Sequence, residues 1–239
     1  MRSEAQESAQ TRINPQDSAE MIYIPAGDFL MGDEDEGLYI IQRDHPPWIP
    51  SELVGNNNPR HTVRLSGYWI YKNLVTVGIY KRFCQEIGMP MPAAPAFNPN
   101  WSREDHPIVN VSWTDTMACC QWASQAGVTV SLPTEAQWEK AARGTDGRKY
   151  PWGNRWDARK LWCSKNEPGD AGGTASVGKY AISPYGLTDM AGKVWQWCRD
   201  WFDQCFWCSP AASVADPENQ IMFTNRGKCG RNTCACRNQ

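Results

Sequence analysis

From Met21 the chain alternates apolar and polar positions, MIYI and then DFLM, on either side of Pro25-Ala26-Gly27. A two-residue period marks half-buried strand, and the intervening turn residues predict a short hairpin, Met21 to Ile24 with Asp28 to Met31. The alternation returns in His61-Thr62-Val63-Arg64-Leu65 and continues as strand through Tyr68 to Lys72. Between these runs, Glu34 to Pro59 is acidic, proline-bearing and rich in asparagine, which predicts a surface loop.

The period then changes. Thr76 precedes Val77-Gly78-Ile79-Tyr80-Lys81-Arg82-Phe83, whose apolar residues stand three and four apart, so a helix capped by the Thr76 hydroxyl is expected. A second helix fits Ser112 as cap through Ala126, with Ala118, Cys119, Trp122 and Ala123 on one face. That face makes Cys119 and Cys120 core thiols. In the third, Thr134 and Gln137 form a capping box and Gly144 is the stop. Beyond Gly144 glycine, proline, asparagine and tryptophan punctuate the chain, leaving room for short strands at Ser176 to Lys179 and Val194 to Cys198.

Composition narrows the class. Thirteen tryptophans beside 19 glycines and 17 prolines describe a loop-rich protein whose core rests on large aromatics. At 239 residues without an internal break, residues 21–239 are expected to form one domain after a polar leader, Met1 to Glu20, expected to be disordered. A net charge of −2 without a lysine or arginine run argues against nucleic-acid and membrane-surface partners. The leader lacks the apolar centre of an export signal, and no stretch approaches the roughly 18 apolar residues of a membrane span, so a cytoplasmic location is expected. In that compartment ten cysteines point to free thiols, metal ligands or redox chemistry rather than to a disulfide framework.

A series of landmarks then falls in order: Ile24-Pro25-Ala26-Gly27 with Phe29-Leu30-Met31-Gly32, Pro59-Arg60-His61-Thr62-Val63, Val75-Thr76, and Pro107 to Trp113. It continues with Leu132 to Glu139, Tyr150-Pro151-Trp152-Gly153-Asn154, Gly172-Gly173-Thr174, Tyr185 to Gly192, and Val194-Trp195-Gln196-Trp197. The series resembles the formylglycine-generating enzyme (sulfatase-modifying factor) family over about residues 21 to 203. The resemblance implies an α+β, irregular C-type-lectin-like fold with sparse short strands, about three helices and a tryptophan-rich core.

Departures from that family matter. Calcium-binding members carry Asn and Glu where this chain has Lys193 and Gln196. A lysine ammonium there would repel a hard cation and could itself supply the positive charge, which argues against calcium at that place. The family's other calcium site corresponds to the loop Cys163 to Ala171, where Asn166 and Asp170 are the oxygen donors to consider. At the C-terminus the family's Arg-Gly-Gly-Ser segment and its last strand have no clear counterpart. Arg226-Gly227-Lys228-Cys229 resembles the former, Cys229 and Cys234 resemble the catalytic cysteine pair, and Cys234-Ala235-Cys236-Arg237 resembles the stretch after that pair; these registrations exclude one another.

In catalytic members paired thiolates bind copper(I) and a client cysteine is oxidised to formylglycine. By resemblance, Cys229 and Cys234 are then the catalytic and copper-binding residues; Trp207, Arg226 and Arg231, in the same C-terminal stretch, are the candidates to meet a cysteine-containing protein or peptide substrate. Lys228, Arg226 and Arg231 supply the positive charge that lowers a thiol pKa. A zinc site using Cys205, Cys208 and two of Cys229, Cys234 and Cys236 stays open, whereas His45, His61 and His106 lack the spacing of a histidine metal cluster. A function of another class also stays open: a non-catalytic ligand-binding module, as in variable proteins of diversity-generating retroelements, with an exposed C-terminal face that includes Trp207.

Overall fold

The computed structural model describes residues 10–32, 60–125, 127–163, 173–202, 206–220 and 231–233. Three small antiparallel sheets surround a central helix. The first joins β1 (Thr11–Ile13), β2 (Glu20–Ile24) and β5 (Tyr68–Tyr71), with β2 in the middle. The second pairs β3 (Gly27–Met31) with β4 (His61–Leu65), and the third pairs β6 (Trp197–Trp201) with β7 (Arg231–Thr233).

The strands predicted on either side of Pro25 exist, but they are not a hairpin. β2 pairs with β1 and β5, while β3 pairs, among the described residues, with β4 alone. The cause lies more than a hundred residues away: the buried Lys140 ammonium takes the carbonyls of Pro25 at 2.7 Å and Gly27 at 3.0 Å. The linker thus hands the chain from one sheet to the next.

Helix α1 (Val77–Ile87) starts on Thr76, whose hydroxyl accepts from the Ile79 N–H, and ends at Gly88 in the left-handed region. Helix α2 (Trp113–Ala123) has a capping box of Ser112 with Asp115 and ends three residues before the predicted Ala126, where Ser124 turns extended. Helix α3 (Glu135–Arg143) has the expected Thr134–Gln137 box and its stop at Gly144. Among the described residues no helix is long and apolar enough to cross a membrane.

α3 organises the core. Trp138, Ala141 and Ala142 pack with Ile22, Ile24, Leu187, Met190 and Cys198, while Ala136 packs with Phe29, Met31, Val63, Leu65 and Trp207. Its charged residues point inward too, each with a partner: Glu139 accepts from the Gly32 N–H at 2.8 Å and pairs with Arg143, which donates to the Gly32 carbonyl at 3.1 Å. Buried charges of this kind persist only where they are bonded.

Two further differences follow from long-range contacts. Residues 10–20, assigned to a disordered leader by their polarity, instead carry β1 and a buried anchor. Asn14 donates to the Tyr71 hydroxyl at 2.8 Å and to the Ala123 carbonyl at 3.1 Å, and Tyr71 donates to Asp17. At the other end, residues 176–179 form a turn rather than a strand, and the predicted Val194–Cys198 strand is displaced to Trp197–Trp201.

Candidate functional site

Two places among the described residues concentrate chemistry, and a third anchors the C-terminal segment. The first is an open cavity of about 520 Å³ lined by Trp152, Asn154, Arg155, Trp156, Asp157, Arg159 and Lys160. Trp152 belongs to a tight turn in which Tyr150 and Gly153 exchange both backbone hydrogen bonds, at 2.9 and 3.0 Å. Tyr150 and Trp152 stack with centroids 5.2 Å apart, Trp156 meets Tyr150 edge-on at 5.5 Å, and the Trp152 indole N–H is fixed on the Arg155 carbonyl at 2.8 Å. Trp156 remains 42% exposed.

The second is a buried polar cage. Lys193 reaches the Asp189 carboxylate at 2.7 Å, with side chains 1% and 0% exposed. The same ammonium donates to the Ser176 carbonyl at 2.7 Å and lies 5.3 Å from the Tyr180 ring centroid. The other Asp189 oxygen accepts from the Gly178 N–H at 2.7 Å. Both Asp189 (φ 57°) and Lys193 (φ 66°) are left-handed, a conformation that costs energy outside glycine and that this pair of contacts holds. Burial lowers the Lys193 pKa against the opposing pull of Asp189. Next to the cage, His106 shares a 2.9 Å hydrogen bond with Thr174, and burial lowers its pKa as well.

Gly173 lets this corner close. It has φ 146°, and a Cβ there would stand 2.6 Å from the Phe97 ring.

At the third place, β6 carries buried Asp200, which accepts from the Glu135 N–H at 2.7 Å and the Asn219 N–H at 3.1 Å. Burial pushes its carboxyl pKa up to about 6. β7 lies on β6 with Trp197 opposite Thr233 and Trp201 opposite Arg231; the ladder is irregular between these pairs.

The model of the sulfatase-modifying factor enzyme 1-like domain matches residues 6–236. The chain belongs to this formylglycine-generating enzyme family. It is 32% identical to the formylglycine-generating enzyme of Thermomonospora curvata over 270 residues, covering 90% of this chain and 83% of that one. It is 34% identical to the inactive C-alpha-formylglycine-generating enzyme 2 of Mus musculus over 248 residues, covering 87% of this chain and 73% of that one. Among solved structures, PvdO from Pseudomonas aeruginosa superposes with a TM-score of 0.66 at 21% identity, over 88% of this chain and 82% of that one. The Treponema denticola variable protein 1 gives 0.55 at 23%, over 81% and 77%. The fold is the C-type-lectin-like α+β fold of the family.

Within this family frame, Cys229, Cys234 and Arg226 lie outside the described residues, as do Asn166 and Asp170. Arg231 begins β7. Trp207, expected on an exposed face toward substrate, is 7% exposed and packed into the core. Its indole N–H donates to Glu135 at 3.1 Å, and its ring lies 5.3 Å from that of His61, so it supports α3 from within. Cys205, Cys234, Cys229 and Cys236 of the zinc alternative also fall outside; among the described residues no three metal-ligating side chains cluster. Cys119 is a core thiol as expected, whereas Cys120 beside it is only half-buried and outside the core clusters; burial pushes the two up to about 12 and about 11.

The family's calcium place tests differently. The Lys193 ammonium already holds the Asp189 carboxylate and the Ser176 carbonyl, oxygens of the kind a hard cation would take. Gln196 is engaged by accepting from the Trp138 indole at 2.9 Å and donating to the Asp189 carbonyl at 3.2 Å. Lys193 and Gln196 are thus both engaged by protein groups.

The aromatic cavity was missed in the sequence. Its cations, Lys149, Arg155 and the adjacent Arg159 and Lys160, are interrupted by Asp157 and the tryptophans, so they do not form a basic run in the sequence.

Proposed function

We propose that this protein oxidises a cysteine side chain of a protein or peptide substrate to formylglycine, with Cys229 and Cys234 as its reactive thiols, which would hold copper as the cofactor. The observation that carries this reading is the similarity to the Thermomonospora curvata formylglycine-generating enzyme across 90% of this chain. The donor set suits the metal, because soft thiolates select copper(I). When bound, copper supplies one-electron chemistry with dioxygen.

The rest falls to the chain's own groups. Arg226, Lys228 and Arg231 bring positive charge that favours the thiolate form of neighbouring cysteines. β7 separates the two cysteines in sequence, and a three-residue strand carries its ends about 7 Å apart. In the net reaction the substrate's Cβ–S bond breaks and a Cβ=O bond forms. Sulfur leaves as hydrogen sulfide, and dioxygen takes two electrons from that carbon and two electrons with two protons from an added thiol reductant, which ends as a disulfide. The second oxygen ends as water.

The test uses the reduced, copper-loaded protein with a cysteine-containing peptide of sulfatase motif and a thiol reductant. Oxygen uptake, peptide aldehyde by mass spectrometry, and loss of both in Cys229→Ser and in Cys234→Ser are expected. Absence of aldehyde, or aldehyde formation that survives both substitutions, overturns the assignment.

A second reading, a ligand-binding module without this chemistry, draws on the 34% identity to the inactive mouse relative and on the open aromatic cavity. It predicts no oxygen uptake with any cysteine peptide.

A further inference from the structure

Residues 149–160 carry four cations, Lys149, Arg155, Arg159 and Lys160, against one carboxylate, Asp157, in a chain whose 24 basic residues are outnumbered by 26 acidic ones. The fold gathers Arg155, Arg159 and Lys160 around one cavity of about 520 Å³. Asp157 is already committed: its two oxygens accept from the Arg159 guanidinium at 3.0 and 3.0 Å. Among the described residues no carboxylate forms a salt bridge with Arg155 or Lys160, and both are exposed. Their charges face a ligand space.

The same cavity offers apolar faces. Trp152 is held by its stack on Tyr150 and by its indole bond to the Arg155 carbonyl, and Asn154 fixes the turn by accepting from the Lys149 N–H at 2.9 Å. Trp156 presents an exposed ring beside them. Preformed aromatic faces with convergent guanidinium and ammonium groups match a ligand that alternates carboxylates with flat or apolar groups.

We propose that this cavity binds an acidic peptide segment of a protein partner, its carboxylates on Arg155 and Lys160 and its apolar groups on Trp152 and Trp156. A single-stranded nucleic acid would need a cationic track along several phosphates, whereas two cations without a salt-bridge partner among the described residues serve one or two acidic side chains. The chain's net charge of −2 also opposes a polyanion. This binding is independent of the oxidation assigned to Cys229 and Cys234, because it needs no cysteine in the ligand.

The test is calorimetric titration of the full-length protein with a blocked hexapeptide of alternating glutamate and proline, beside its glutamine counterpart and a thymidine oligonucleotide. Saturable binding of the glutamate peptide with Kd below about 1 mM is expected, weakening as salt rises. The glutamine peptide and the Arg155→Gln, Lys160→Gln double variant should each be weaker by about tenfold or more. Trp156→Ala should weaken binding by about tenfold while lowering Tm by no more than about 5 °C, the loss expected from its edge contact with Tyr150. Lack of saturation at millimolar peptide, equal binding of the glutamine peptide, unchanged affinity in the variants, or tighter binding of the oligonucleotide would each overturn the proposal.

Discussion

Replacing Lys193 by methionine removes an ammonium while keeping the length of the stem. In the folded protein the Asp189 carboxylate, 0% exposed, would lose the charge 2.7 Å away, and the Ser176 carbonyl would lose its 2.7 Å donor. Removing one partner of a buried ion pair costs about 3–5 kcal/mol, because the remaining charge stays desolvated without compensation. In a chain of this size each kcal/mol lowers Tm by roughly 2–4 °C, so a fall on the order of 6–20 °C is expected. Adding Asp189→Asn neutralises the stranded charge while keeping an oxygen for the Gly178 N–H, and should restore more than half of the loss. The assay is thermal unfolding by circular dichroism at pH 7 under reducing conditions with a chelator present. A Lys193→Met Tm within about 3 °C of wild type, or a double variant less stable than the single, would refute the reasoning.

Two further outcomes are expected. Asn14→Ala removes both bonds that tie the N-terminal segment to Tyr71 and Ala123, and should destabilise by about 1–3 kcal/mol in urea unfolding; an unchanged midpoint would return residues 10–20 to a leader. Asp200 has a folded pKa of about 6, raised by burial above the ordinary 3.8, so the folded state binds its proton more tightly than the unfolded state does. The stabilisation from that proton is complete below about pH 3.8 and lost as pH rises through about 6, up to about 3 kcal/mol. The cost of Asp200→Asn should therefore shrink between pH 4 and pH 7, and a cost that grows over that interval would contradict the burial argument.

What the sequence disclosed was local. The caps at Thr76, Ser112 and Thr134 each depend on residues within one helical turn, and each stands where its hydroxyl predicted. Pairing was not legible between β2 and β3, because the carbonyls that would close a hairpin are turned to Lys140, more than a hundred residues on. The N-terminal anchor was hidden for the same reason: Asn14 and Asp17 look solvated until Tyr71 and Ala123 are brought beside them. Lys193 was visible as a departure from the family, but its partner is legible only once Asp189 and Lys193 both adopt left-handed backbone in a turn. Trp207 misled because an indole near a cysteine-rich tail reads equally as exposed anchor or as core.

The most direct test of the central claim is titration of copper(I) into the reduced protein and into its Cys229→Ser, Cys234→Ser double variant. Tight one-to-one binding in the wild type that disappears in the variant is the predicted result. Binding that persists without those thiols, or no thiol-dependent binding at all, would contradict the assignment of this chain as a copper-thiolate oxidase.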